Sequence, residues 1–203
     1  TCGPCILVCA LSQGFYGSTS GQFYYEPVGT EMTAVQLIEY ALSNYGPMVL
    51  GNAGSGGSLT VPVAAASCLN SLLPGSGNAK IFPNSDLTLN SACTGIPPGW
   101  KKNGKFASNL WGQTIALWLN AKLFVEFNNL ELQYACNTKP AFIPASVVTI
   151  GDLLNYASSI LDGSPSLNNT QRGQLMGYIG SLNLYFDLCE YACGIPYSPP
   201  APL

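Results

Sequence analysis

The stretch from Phe106 to Asn128, FASNLWGQTIALWLNAKLFVEFN, constrains the chain more than any other. It holds Trp111 and Trp118, two of the three Trp, and no Pro. At about 100° per residue, Ala107, Leu110, Trp111, Leu117, Trp118, Ala121, Phe124 and Val125 form one broad apolar arc. Asn109, Gly112, Gln113 and Asn120 form a narrow polar stripe opposite, with Leu119 and Leu123 at its border. A helix that is apolar on most sides is buried rather than laid on a surface. The stretch therefore predicts a central core helix over 106–128, with packing rather than chemistry as its work.

The rest of the composition asks where so much apolar surface can go. Only 8% of the 203 residues are charged, against about 25% in a typical soluble domain, and mean hydropathy is +0.23. No run reaches the ~18 apolar residues that a membrane helix needs, because Gly, Asn, Gln or Lys interrupts each one. No membrane span is expected, so the apolar side chains must be buried within the fold or against other protein. The net charge of −3 is carried by scattered groups, and the nearest basic cluster is Lys101, Lys102 and Lys105. Nucleic-acid binding needs a denser basic footprint and is not expected.

Eight Cys and no His narrow the chemistry. Without His there is no Ser-His-Asp or Cys-His catalysis, no Cys2His2 zinc and no His-based iron or copper site. An even Cys count reads as disulfides in an oxidising compartment, so Cys2, Cys5, Cys9, Cys68, Cys93, Cys136, Cys189 and Cys193 are the expected disulfide residues. Connectivity is not deducible from spacing. The expected pattern joins Cys2, Cys5 and Cys9 in part to Cys189 and Cys193, closing the domain end to end. Cys2-Gly3-Pro4-Cys5 matches the thioredoxin tetrapeptide, but nothing precedes it to form the strand that motif follows, and Cys9 lies close by. Structural disulfides are the favoured reading. A four-Cys zinc site lacks its second CxxC, since the later pair is Cys189-x3-Cys193. No cofactor or metal is expected. A start at Thr1, without Met or an apolar leader, fits a mature protein after signal-peptide removal, and the expected location is extracellular or at the cell surface. Asn168-Asn169-Thr170 is a glycosylation sequon.

Along the chain, residues 11–30 alternate Gly and Ser with Phe15, Tyr16, Phe23, Tyr24 and Tyr25, an ordered loop because aromatics seek burial. Thr30 or Thr33 caps a helix ended by Gly46-Pro47. Met48–Leu50 and Leu59–Val61 pair as a hairpin across a glycine turn. A helix follows from Pro62 to Leu73. Lys80–Phe82 and Asp86–Leu89 are brief strands or extended turns, and Glu131–Tyr134 is a strand candidate. Thr149 caps a helix over Ile150–Leu161 with Asp152 at its positive end. A last helix runs from about Asn169 to Tyr191, and a Pro-rich tail, 194–203, is extended. This gives a single domain, 1–203, of mainly helical α+β class: about five helices around the central one, a few short strands, and disulfide staples. The strands do not alternate regularly with helices, which argues against a parallel sheet.

Carboxylates are the catalytic option left, and none has a recognisable spacing. Glu126 and Glu131 are neighbours in sequence, as a glycosidase pair would need to be in space, but solvated charges at a helix end are the plainer reading. The run 51–57 lacks the P-loop Lys and the Rossmann spacing, and around Ser55 it lacks the first Gly of a nucleophile elbow. Among the aromatics, Trp100 sits in a Pro/Gly loop and is the candidate for stacking on a sugar ring, with a loop anchor folded onto the core as its structural alternative.

Several segments resemble, together, a secreted bacterial domain found in large extracellular and surface proteins. Cys9-Ala10-Leu11-Ser12-Gln13-Gly14-Phe15-Tyr16-Gly17 is similar to that family's C-x-x-(S/T)-Q-G-(F/Y/W)-(W/Y)-G opening. Leu59-Thr60 through Leu73-Pro74-Gly75 looks like its helix-turn segment, Gln113–Asn120 (QTIALWLN) like its Q-x-x-A-L-x-L-N helix, and 149–163 with the segment to Cys193 like its closing helices. Cys2, Cys5 and the Pro-rich tail depart from the pattern. The resemblance implies secretion, a disulfide-bearing fold and a structural or surface setting. It implies no activity and supplies no catalytic residues.

These readings converge on a non-enzymatic extracellular structural protein whose subunits self-associate into a filament or surface layer. Its expected partners are copies of itself, with the tail residues Tyr197, Pro199, Pro200, Pro202 and Leu203 as the assembly contact. The alternative is a carbohydrate-binding or adhesion module using exposed aromatics such as Trp100, with glycans as partners.

Overall fold

In the computed structural model, which describes residues 6–54, 56–135 and 138–192, the first and last described strands pair with each other. β1 (Ile6–Val8) leads to α1 (Gln13–Tyr16), the hairpin β2 (Gln22–Tyr25) and β3 (Thr30–Thr33), and α2 (Ala34–Tyr45). β4 (Met48–Asn52), β5 (Gly57–Val61), α3 (Ala66–Leu72) and β6 (Leu87–Thr88) come next, then β7 (Lys101–Lys102) and β8 (Lys105–Phe106). The remainder is mostly helical: α4 (Asn109–Leu123), α5 (Val125–Asn129), α6 (Ile150–Leu161), α7 (Asn169–Tyr185) and finally β9 (Glu190–Ala192). β9 runs antiparallel to β1, with Ile6 opposite Ala192 and Val8 opposite Glu190. The other sheets are β2–β3, β7–β8 and β4–β5–β6, in which β6 is parallel to β5. The α+β class expected from sequence is the class observed, with small sheets dispersed among helices.

Local chemistry accounts for the well-placed elements. Thr33 caps α2 reciprocally with Gln36, Thr149 caps α6 with Asp152, and Asn168 caps α7 with Gln171, each satisfying donors left open in a helix's first turn. The β4–β5 hairpin forms as expected, with pairing that runs past the expected strand ends into the glycine run, as far as Asn52 opposite Gly57.

Other boundaries are set by tertiary partners. The expected helix over 106–128 is two helices. Phe106 is held in the β7–β8 hairpin opposite Lys101, and at Phe124 the backbone turns extended (φ −124°, ψ 99°). Tyr25 donates its hydroxyl to the Leu123 carbonyl at 2.9 Å, satisfying an acceptor the helix end leaves open, while the Phe124 ring packs edge-on to Phe23 and Tyr25. The expected last helix stops at Tyr185, because Leu188 (φ 61°) and Cys189 (φ 76°) turn the chain back onto β1. Residues 132–134 are a 3-10 turn rather than a strand. The segment from Pro62 is a 3-10 turn before α3. Lys80–Phe82 is extended without strand pairing, its carbonyl and amide held by Trp111 and Leu161. Instead of about five helices, the described residues contain seven α-helices, since α1 arises in the expected loop and α5 by the break at Phe124.

Candidate functional site

The polar stripe of α4 faces protein, not water. Asn120 is fully buried. Its Oδ1 accepts from the Leu11 amide (2.9 Å) and the Tyr16 hydroxyl (2.8 Å), and its Nδ2 donates to the Leu11 carbonyl (2.9 Å) and Asn183 Oδ1 (3.0 Å). Asn183 in turn donates to the Gln113 carbonyl and side-chain oxygen, each at 3.1 Å. Gln13 donates to Asn109 and accepts from the Gly75 amide at 3.1 Å. A Cβ on Gly112 would collide with Gln13 and with the backbone of Gly75, and one on Gly17 with the backbone of Leu73. The motif-bearing segments around Ser12–Gly17, Leu73–Gly75 and Gln113–Asn120 thus meet in one buried polar knot. Their residue types are explained by close approach and hydrogen-bond satisfaction.

At the edge of the knot, Asp187 accepts from the Ser12 amide at 2.9 Å. Burial raises its carboxyl pKa, against the lowering effect of that hydrogen bond. Burial also raises the Tyr16 hydroxyl well above its ordinary value, with Tyr25 and Asp187 adding to the shift.

Trp100 is corrected by the structure. It is 0% exposed, with its ring 4.8 Å from Phe82 and 5.3 Å from Trp111, centroid to centroid, and its Nε1 donates to Ser85 Oγ at 3.2 Å. A Pro/Gly loop can fold back as readily as it can protrude, and here the indole's apolar area favours the core. No face of it is free for a sugar.

Two disulfides lie among the described residues. Cys9–Cys189 joins the beginning and end of the described chain across 180 residues, as the end-to-end pattern anticipated, and Cys68–Cys93 closes a loop of 25. Cys2, Cys5, Cys136 and Cys193 lie outside the described residues, as do the tail residues Tyr197, Pro199, Pro200, Pro202 and Leu203. Among the described residues no group of His, Cys, Asp and Glu is arranged to hold a metal ion, and no helix is long and apolar enough to cross a membrane.

An aromatic cleft of about 710 Å³ lies between the β2–β3 hairpin, α2, the α4–α5 break and the β1–β9 ribbon. Phe23, Tyr24, Tyr25, Tyr40, Tyr45 and Phe124 supply its rings. Tyr25 stacks edge-on to Tyr40 at 5.2 Å, and its hydroxyl pKa is pushed up to about 12 by burial first and by Tyr40, Tyr45 and Glu126 next. Tyr24 is 59% exposed and Tyr45 51%. Two carboxylates, Glu26 and Glu126, share the cleft, whereas Glu131 lines a different hollow and accepts from Gln133 at 2.5 Å. The pair weighed from sequence is not brought to one site. At the rim, Leu7 lies opposite Tyr191 on the β1–β9 ribbon. Residues directly opposite share a face, and these two face outward, 48% and 63% exposed, while Val8 and Ala192 point into the core.

The sequence held a signal for this cleft. Glu26-Pro27-Val28-Gly29, with Gly29 at φ 74°, is a Pro/Gly turn between two short runs rich in Phe, Tyr and Thr, Gln22–Tyr25 and Thr30–Thr33, the mark of a hairpin. What it could not give was the partner surface, which comes from α2 and the α4–α5 break. Comparison with protein-family models, curated proteins and solved structures finds no match.

Proposed function

We propose that this chain is a non-enzymatic extracellular structural protein that associates with copies of itself. The observation that carries this is the outward pair Leu7 and Tyr191 at the rim of a cleft that also exposes Tyr24, Tyr45 and Val125. A contiguous apolar surface on a chain with 8% charged residues is an interaction surface by default, and Tyr-rich patches suit protein interfaces. In this reading α4 is the central element. It packs against α1, α2, α5, α6 and α7, so the exposed cleft rests on a rigid frame. The two disulfides suit an oxidising, extracellular setting, in keeping with a secreted bacterial surface protein that assembles into a filament or layer. Sedimentation over a hundredfold or so range of concentration, with negative-stain microscopy of the same samples, tests it. Concentration-dependent growth to regular fibres or sheets supports the reading, and a monomer of 21.4 kDa throughout overturns it.

A second reading, a carbohydrate-binding module, draws on the same cleft rather than on Trp100. Exposed Tyr rings beside Glu26 and Glu126 combine a stacking face with hydroxyl-accepting carboxylates, and the volume is in the range of small-ligand sites. Binding on a glycan array that is lost in Tyr24→Ala would favour it.

A further inference from the structure

The segment after β9 reads Cys193-Gly194-Ile195-Pro196-Tyr197-Ser198-Pro199-Pro200-Ala201-Pro202-Leu203. Pro196, Pro199 and Pro202 recur at intervals of three. A polyproline II helix has three residues per turn, so this spacing would place all three rings on one face. Such ridges are recognised by grooves lined with aromatic rings, where the prolines slot between them and little conformational entropy is lost, because proline has already fixed its φ.

The molecule has such a groove. Tyr24 and Tyr45 present exposed rings over a floor of Tyr25 and Phe124, and Pro27 and Val125 continue the apolar lining. The segment and the groove are also connected. Cys189 and Leu7 line the cleft, and Tyr191 stands opposite Leu7, so the chain leaves β9 at the rim.

We propose that the cleft is the seat for the proline-rich segment Pro196–Leu203 of a second copy of this chain. This rests on the self-association reading above and names the contact through which it occurs. Direction favours the second copy over the same chain. β9 carries the chain from Cys189, at the cleft, to Ala192 opposite Ile6, and so past the rim. To seat in its own cleft the segment would have to double back along β9 in a complete reversal. A neighbouring cleft lies ahead without reversal. The contact joins a segment of one copy to the cleft of another, two unlike surfaces, so it is head-to-tail, and head-to-tail contacts that do not close generate filaments.

Two variants of the full chain test it: a segment variant, Pro199→Ser/Pro202→Ser, and a cleft variant, Tyr24→Ser/Tyr45→Ser. The cleft variant changes two exposed side chains, and melting temperatures near that of the unmodified chain verify that both variants fold. Sedimentation of each alone should show the concentration at half-association raised about tenfold or more, a loss in the range of interface hot spots. Mixed one to one, the two should pair, because the segment variant keeps its cleft and the cleft variant keeps its segment, and growth should stop at two chains. In parallel, a synthetic peptide of residues 195–203 should disperse assemblies of the unmodified chain, and the same peptide with Pro196, Pro199 and Pro202 replaced by Ala should not. If the unmodified chain assembles and both variants assemble equally well, this contact is wrong while self-association stands. If the variants are impaired but never pair, the segment occupies its own cleft and the proposal is overturned. If the unmodified chain stays monomeric at every concentration, both this contact and the self-association reading fail.

Discussion

Replacing Asn120 with Ala should be among the most damaging single substitutions in the molecule, although it deletes only a small polar group. Four hydrogen bonds end on this side chain, at 2.8–3.0 Å. Their partners are buried: Leu11 and Tyr16 are 0% exposed and Asn183 1%. Asn120→Ala orphans two donors, the Leu11 amide and the Tyr16 hydroxyl, and two acceptors. A buried group left without its partner costs about 1–3 kcal/mol. The donors alone give about 2–6 kcal/mol, and about 4–6 is expected once the acceptors and the cavity are included. That approaches the whole stability of an ordinary domain, about 5–15 kcal/mol. Tyr16→Phe is the informative companion. It removes the hydroxyl together with its need for a partner, so alone it should cost only about 1 kcal/mol. In the Asn120→Ala background it should cost nothing or recover about 1–2 kcal/mol, since there the hydroxyl is an orphan. Urea unfolding followed by Trp fluorescence reads all four proteins. An Asn120→Ala loss under about 1 kcal/mol, or strictly additive single substitutions, would refute the account of the knot as mutually dependent bonds.

Three further outcomes are expected. Trp100→Ala should destabilise by about 3–5 kcal/mol without selectively changing glycan retention, as read by melting temperature beside a glycan array. In the chain-entropy model, the 180-residue loop of Cys9–Cys189 is worth about 5 kcal/mol and the 25-residue loop of Cys68–Cys93 about 3.5. Replacing the first pair with Ser should therefore lower the denaturation midpoint more than replacing the second. Asp152 is held below the ordinary carboxylate range by the Thr149 amide, then the Val148 amide and the Thr149 hydroxyl. Its folded form binds protons more weakly than its unfolded form, so its contribution is complete above the unfolded pKa and is lost as pH falls through the folded one. Melting temperature between pH 5 and pH 2.5 or so should fall more steeply for the unmodified chain than for Asp152→Asn, and parallel curves would contradict that.

Much of the fold was legible where local chemistry decides. The capped starts at Thr33 and Thr149, the hairpin over the glycine run and the burial of most of the stretch from Phe106 to Phe124 follow from residue type and period, whereas Val125, expected on the buried arc, is 60% exposed. Boundaries that depend on distant partners were not legible. Nothing near Phe124 breaks a helix; the break is stabilised by Tyr25, some hundred positions earlier, donating to the Leu123 carbonyl. Trp100 illustrates the same limit, since its loop could as well have protruded, and only the pocket formed by Phe82 and Trp111 drew the ring inward.

The sequence by itself determined that the chain would be an apolar, disulfide-bearing α+β domain without His chemistry. Those properties are carried by composition and short-range pattern, which act wherever the chain goes. Only the tertiary structure decided what the polar stripe of α4 is for and where the aromatic surface lies. A buried Asn is tolerable only if specific distant groups meet it, and an exposed Tyr is defined by what fails to cover it. Both are properties of contacts between segments far apart in sequence.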